Sequence, residues 1–147
     1  DKWNELFYNN EQHDIETYRA FINAYYSKIS QGFIPKAMHL ALGLTDLCAH
    51  NNNYYEYLNH LHLADGIIKH LYKTISPNYI IITTDHGRGE NEYWEDHGKN
   101  IPGSEYSWCI VLCSKKYKKI PKFIKNNMPK KLGDISRLLG IILNEPF

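Results

Sequence analysis

The sequence predicts an α/β fold in which a mostly parallel sheet is flanked by helices. An apolar, β-branched run at residues 80–84 has the length and composition of a buried strand. It follows a long amphipathic helical pattern, which itself follows a second strand-like run at residues 37–44. Strand, helix and strand with short joints form a βαβ unit. The two strands should therefore be parallel, with a right-handed crossover.

The N-terminal part of the chain predicts one helix, from Asp14 to Ser30. His13 and Asp14 can cap its start, and Gly32 can end it. Residues 1–12 are polar and aromatic, which favours a loop. The apolar residues of the helix recur at helical spacing, and they are Ile15, Tyr18, Phe21, Ile22, Tyr25 and Ile29.

The βαβ unit occupies the middle of the chain. Its first strand is expected from Ala37 to Leu44, although Leu forms strands less readily than Ile or Val. The three asparagines at 51–53 offer an N-cap for the long helix, and the Ser-Pro-Asn segment at 76–78 ends it. Tyr79 then opens the second strand.

The C-terminal part predicts a third strand and a closing helix. A turn at residues 102–105 precedes the strand, which is expected from Ser107 to Cys113. The helix is expected from Asp134 to Ile142. Between them, residues 115–131 form a basic segment interrupted by prolines. A solvated face is the favoured interpretation of its lysines, with phosphate binding as the alternative.

Length and composition indicate a single domain of an ordinary soluble protein. The chain has 147 residues, 43% of them hydrophobic and 22% charged, and a formal net charge of +1. Near-zero net charge argues against a broad nucleic-acid surface. No apolar stretch approaches the roughly 20 residues that span a membrane. Three cysteines without a C-x-x-C pair favour a reduced, cytoplasmic protein, while a first residue other than Met leaves an upstream signal open.

Two acid–histidine pairs follow the two strands of the βαβ unit. Asp46 and His50 come after the first strand, and Asp85 and His86 end the second. Carboxyl ends of parallel strands meet at one edge of a sheet, where α/β proteins place their sites. His97 follows in a glycine-flanked loop. Carboxylates and imidazoles suit zinc, manganese or iron, so these five residues predict a metal site. Taken alone, each pair favours a turn with a surface histidine. Asp46 could also cap the helix that follows, and His97 could form an ion pair with Asp96.

The pattern Asp46-x-x-x-His50, Thr-Thr-Asp85-His86-Gly and His97-Gly resembles the metal-ligand signature of the alkaline phosphatase superfamily. That group includes zinc phosphatases, nucleotide pyrophosphatase/phosphodiesterases, cofactor-independent phosphoglycerate mutases and sulfatases. Residues 133–141 resemble its closing helix, and the resemblance covers residues 35–142. It implies two divalent ions, zinc above all, with manganese possible. Asp46, His50 and His97 would bind the first ion, and Asp85 and His86 the second.

The resemblance implies a phosphomonoesterase or phosphodiesterase. Two ions would activate a hydroxyl nucleophile and stabilise the leaving alkoxide. That nucleophile, a Ser or Thr on an earlier strand, has no matching segment here. Residues 1–147 are therefore expected to be one metal-binding domain within a larger catalytic domain, without a catalytic residue and inactive alone. Arg88 could bind substrate oxygens, although solvent exposure is the alternative. A sulfatase or phosphomutase of the same superfamily, or an inactive binding module, stays open.

Overall fold

The computed structural model describes residues 13–116 and 120–144, so the predicted loop at residues 1–12 lies outside the described residues. The chain divides into two compact units, with the boundary between Ile67 and Ile68. Each unit is described by itself below. None of the helices in the described ranges is long and apolar enough to cross a bilayer.

Helix α1 spans His13–Ser30 and confirms the first predicted helix. It ends in a Schellman motif, because the N–H of Gly32 donates to Ile29 and the N–H of Phe33 donates to Lys28. Gly32 has a φ of 77°, which a residue without a side chain adopts at no steric cost. The predicted stop at Gly32 is therefore correct.

Helix α2 spans Leu44–His50 and is held at its start by a side chain from α1. Gly43 precedes α2 and has no side chain with which to cap it. The Asp14 carboxylate takes this role, accepting the N–H groups of Gly43 at 2.9 Å and Leu44 at 3.3 Å. Asp14 is 2% exposed, and these bonds compensate for its burial.

Helix α3 spans Tyr54–Thr74 and confirms the long predicted helix. The side chain of Asn53 accepts the N–H of Glu56 at 3.2 Å, so the expected asparagine cap is present. At the other end, Ser76 has a φ of 51° and donates its N–H to Leu71. This turn directs the chain into the first strand.

The sheet has two strands, β1 at Tyr79–Thr83 and β2 at Cys109–Cys113. They pair antiparallel, with Tyr79 opposite Cys113 and Ile81 opposite Val111. Two short helices follow, α4 at Lys122–Asn126 and α5 at Asp134–Asn144. The core of the second unit consists of Val111, Ile124, Leu138 and Ile142, and Tyr79, Ile81 and Phe123 pack against it. One face of the sheet, formed by alternate residues, therefore contacts this cluster.

The predicted mostly parallel α/β fold is wrong. Helices dominate the described residues, and their sheet contains only the antiparallel pair β1 and β2. Residues 37–43 form no strand. Their Ala, Met and Leu side chains lack the β-branching that favours extended pairing, and Leu44 instead begins a helix. Without a first strand there is no βαβ crossover, so the common-edge argument for bringing Asp46 and Asp85 together no longer holds.

Candidate metal centre

The loop between β1 and β2 contains three of the five predicted ligands, and its glycines allow its tight folding. The N–H of Gly87 donates to Ser104 at 2.9 Å, and that of Gly89 donates to Asp96 at 2.9 Å. A Cβ at Gly87 would lie 2.1 Å from the carbonyl oxygen of Tyr106. The backbone can therefore approach this closely only because residue 87 has no side chain.

Ser104 fixes the part of the loop that follows His97. Its side chain accepts the N–H of Gly98 at 3.1 Å. Its hydroxyl also lies 2.6 Å from the carbonyl of Gly98 and 2.8 Å from that of Ile101, either of which can accept its proton. Ser104 is buried, so these bonds are shielded from water. The residue therefore holds the backbone beside His97 in place.

Asp85, His86 and His97 lie together at the base of this loop. The His86 and His97 rings stack, with centroids 3.7 Å apart and planes 20° apart. His86 Nδ1 lies 2.8 Å from the carbonyl of Gly87, which can only accept a hydrogen bond. The proton therefore belongs on Nδ1, and in the neutral ring Nε2 carries the lone pair. That Nε2 is 3.6 Å from Asp85 Oδ1.

The two donors of this pair suit a bound cation. A ring nitrogen and a carboxylate oxygen at this separation need a positive charge between them, which either a proton on Nε2 or a metal ion supplies. In a tetrahedral zinc site, ligand atoms about 2.0–2.1 Å from the ion are roughly 3.3 Å apart, close to the separation observed here. Asp85 is also accessible, with 87% of its side chain exposed. The pair therefore fits a divalent ion.

Asp46 and His50 form a second pair of the same kind in the first unit. They lie one turn apart on α2, and His50 Nε2 is 3.6 Å from Asp46 Oδ2. Asp46 is in the first turn of α2, where a carboxylate is favoured by the helix dipole. The two residues are therefore close together, but on a helix and not beyond a strand, and their binding of a metal stays a prediction.

A cavity of about 530 Å³ opens beside the stacked histidines. His86, His97 and Ser104 are among the residues that line it. Lys99 and Asn100, both exposed, also line it and follow His97 directly in the chain. The histidine rings can therefore be reached by a small molecule from solvent.

Arg88 is half-buried, and its guanidinium spans the loop. Nη1 donates to the carbonyl of Glu95 at 3.0 Å and approaches that of Trp94 at 3.4 Å. These bonds tie the start of the loop to its middle. Contact of Arg88 with a substrate stays a prediction.

Sequence reasoning overlooked three residues of this region. Ser104 lies in a Pro-Gly-Ser turn that predicts a turn and nothing more. Lys99 and Asn100 follow the His97-Gly98 dipeptide, and that adjacency was the one signal that could have identified them.

Asp14 was expected to cap its own helix, whereas it caps α2.

The chain matches no family model, no curated protein and no solved structure.

Proposed function

We propose that this chain carries the metal ligands of a two-metal hydrolase acting on phosphate esters. The ligands are Asp46 and His50 in the first unit, and Asp85, His86 and His97 in the second. The observation that supports this most strongly is the stacking of His86 on His97, both of which line an open cavity, with Asp85 3.6 Å from His86. The bound ions would supply positive charge to the attacking and leaving oxygens of a phosphoryl transfer.

The stacking of His86 and His97 favours one ion for each ring. A ring nitrogen presents its lone pair in the ring plane, so an ion bound by both rings must lie in both planes. Two ring planes inclined by 20°, with centroids 3.7 Å apart, meet roughly 10 Å away, whereas a metal–nitrogen bond is about 2 Å long. Two neighbouring rings on different ions agree with a two-metal site, in which the ions are about 3.5–4 Å apart.

The decisive experiment is a zinc titration of the chain and its variants, monitored by calorimetry and by competition with a chelator. We expect two ions per chain. His86→Ala should remove one, and His97→Ala should remove the other. His62→Ala, a substitution of an exposed histidine on α3, should leave both ions bound. A wild-type stoichiometry of one or none would contradict the two-metal assignment.

The pH dependence of zinc affinity provides a second test. A ligating imidazole must be neutral, so protons compete with the metal. We expect affinity to fall as the pH passes through about 6.5, the pKa of free imidazole. Constant affinity between about pH 8 and pH 5 would argue against histidine ligation.

Ester hydrolysis is tested with zinc-loaded protein on p-nitrophenyl phosphate, its diester and p-nitrophenyl sulfate. The nucleophile is assigned to no residue of this chain, so we expect no turnover until the remainder of a catalytic domain supplies it. Metal-dependent turnover by the chain alone would show that the nucleophile has been overlooked. Preference for the sulfate ester in a complete enzyme would reject phosphate-ester chemistry.

A further inference from the structure

The basic charge of this chain is concentrated in one segment. Residues 115–131, the basic segment, contain eight of the 17 Lys and Arg residues, while all 16 acidic residues lie elsewhere. The near-neutral chain therefore contains a strongly positive region, which the net charge of +1 conceals.

The basic segment is anchored to the second unit. Ile124 on α4 is fully buried in the core, and Phe123 packs its ring against Tyr79 at 6.2 Å. At the other end, the N–H of Lys130 donates to the Asp134 carboxylate at 3.1 Å. The part of the segment that the structure describes at residues 120–131 is thus held on a packed part of the fold.

The lysines of this anchored segment are directed to solvent. Lys122 and Lys125 lie three residues apart on α4, on the side away from Ile124. All the described lysines of the segment are exposed, and they are Lys115, Lys116, Lys122, Lys125, Lys130 and Lys131. Ile120 and Leu132 flank α4 along the chain and are 46% and 43% exposed.

We propose that the basic segment is a docking surface for a bilayer that contains anionic phospholipids. Lysines near such a surface are attracted by its negative potential. Exposed aliphatic side chains beside them can enter the headgroup boundary. A single-stranded nucleic acid is the less suitable partner, since it stacks on exposed aromatic rings, and Phe123, the aromatic among the described residues of the segment, packs against the core. The proposal is independent of metal binding and hydrolysis.

Co-sedimentation of the whole chain with vesicles tests this. We expect binding to vesicles of phosphatidylcholine mixed with phosphatidylserine, and little binding to phosphatidylcholine alone. Raising the ionic strength from about 0.1 M to about 1 M shortens the Debye length from about 10 Å to about 3 Å, and should release most of the protein. Equal binding to both vesicle types, or binding to neither, would overturn the proposal.

Matched variants locate the surface. The variant K115Q/K116Q/K122Q/K125Q should bind anionic vesicles at least about tenfold more weakly, since each lysine near the surface contributes several-fold. The control K28Q/K36Q/K69Q/K73Q removes the same charge from exposed positions elsewhere and should bind within about twofold of wild type. Equal losses in the two variants would show that only total charge matters. Stronger binding to a labelled oligonucleotide than to anionic vesicles would also reject a lipid partner.

Discussion

Ser104 bonds to both polar backbone groups of Gly98, the residue that follows His97. We predict that Ser104→Ala lowers zinc affinity by about 10- to 100-fold, the usual effect of losing a group that orients a metal ligand. The substitution leaves the Gly98 N–H without this acceptor, and the backbone beside His97 can shift. Chelator competition measures the affinity, and Ser107→Ala, at an exposed serine, is the control. Unchanged affinity in Ser104→Ala would show that His97 needs no such support.

Gly87 has no room for a side chain. In Gly87→Ala the new Cβ would meet the carbonyl oxygens of Tyr106 at 2.1 Å and Gly103 at 2.5 Å, and both are backbone atoms. We expect the free energy of unfolding to fall by roughly 1–3 kcal/mol, the usual cost of overpacking. Urea denaturation measures it. Gly140→Ala in α5 meets no atom within 4 Å and should stabilise the helix by about 0.5–1 kcal/mol. Similar stabilities for the two variants would contradict this account.

Asp14 links the first turn of α1 to the start of α2. Asp14→Ala leaves the N–H groups of Gly43 and Leu44 without their acceptor, and we expect a loss of about 1–3 kcal/mol in unfolding free energy. Glu16→Gln, an exposed change in the same turn, should have little effect.

The pKa of the Cys48 thiol depends on the charge of Asp14. Burial raises the pKa of the Cys48 thiol above its ordinary value, and the carboxylates of Glu56 and Asp14 raise it further. In Asp14→Asn the pKa of Cys48 should therefore fall, and the thiol should react faster with a disulfide reagent at mildly alkaline pH. An unchanged rate in that variant would show that the Asp14 charge does not reach Cys48.

Asp134 should make stability depend on pH in the acid range. The backbone N–H of Lys130 donates to its carboxylate and lowers its pKa in the folded protein. The unfolded chain therefore binds a proton at Asp134 more readily than the folded protein does. The stabilisation by the ionised carboxylate is complete above the ordinary Asp pKa of about 3.9, and it disappears as the pH falls through the lower pKa of the folded state. Asp134→Asn should be less stable than wild type near neutrality, with the difference vanishing at the acid end. Thermal denaturation across that range measures it, with Asp65→Asn, at an exposed position on α3, as the control.

Local patterns predicted α1, α3, α5 and both strands, because side-chain periodicity and capping are encoded nearby in the chain. They did not predict the shorter helices α2 and α4. The strand expected at residues 37–44 is absent, since composition there did not separate an extended segment from the approach to a helix. The antiparallel partner of β1 was not predicted, because strand pairing depends on residues far apart in sequence. Asp46 and His50 lie 3.6 Å apart on α2, but the reason given for bringing them to Asp85 and His86, a common edge of a parallel sheet, was wrong.

The stacking of His86 on His97 and the support from Ser104 could not be read from spacing alone. Both depend on how the loop folds back, which is decided by backbone hydrogen bonds from Gly87 and Gly89. A glycine in a sequence indicates conformational freedom without showing which conformation is adopted. The cavity and Lys99 beside it could therefore be recognised only in the structure.

Thr83 pairs with Cys109 in the antiparallel sheet, so the two ends of the loop between β1 and β2 lie side by side. The Thr83 hydroxyl also donates to the carbonyl of Trp108 at 2.8 Å. Residues 84–108 therefore leave and re-enter the sheet at almost the same point. The segment can therefore be transferred into the turn of an unrelated antiparallel hairpin, or excised and cyclised. Metal titration of the product would then show whether Asp85, His86 and His97 bind an ion without the rest of the protein.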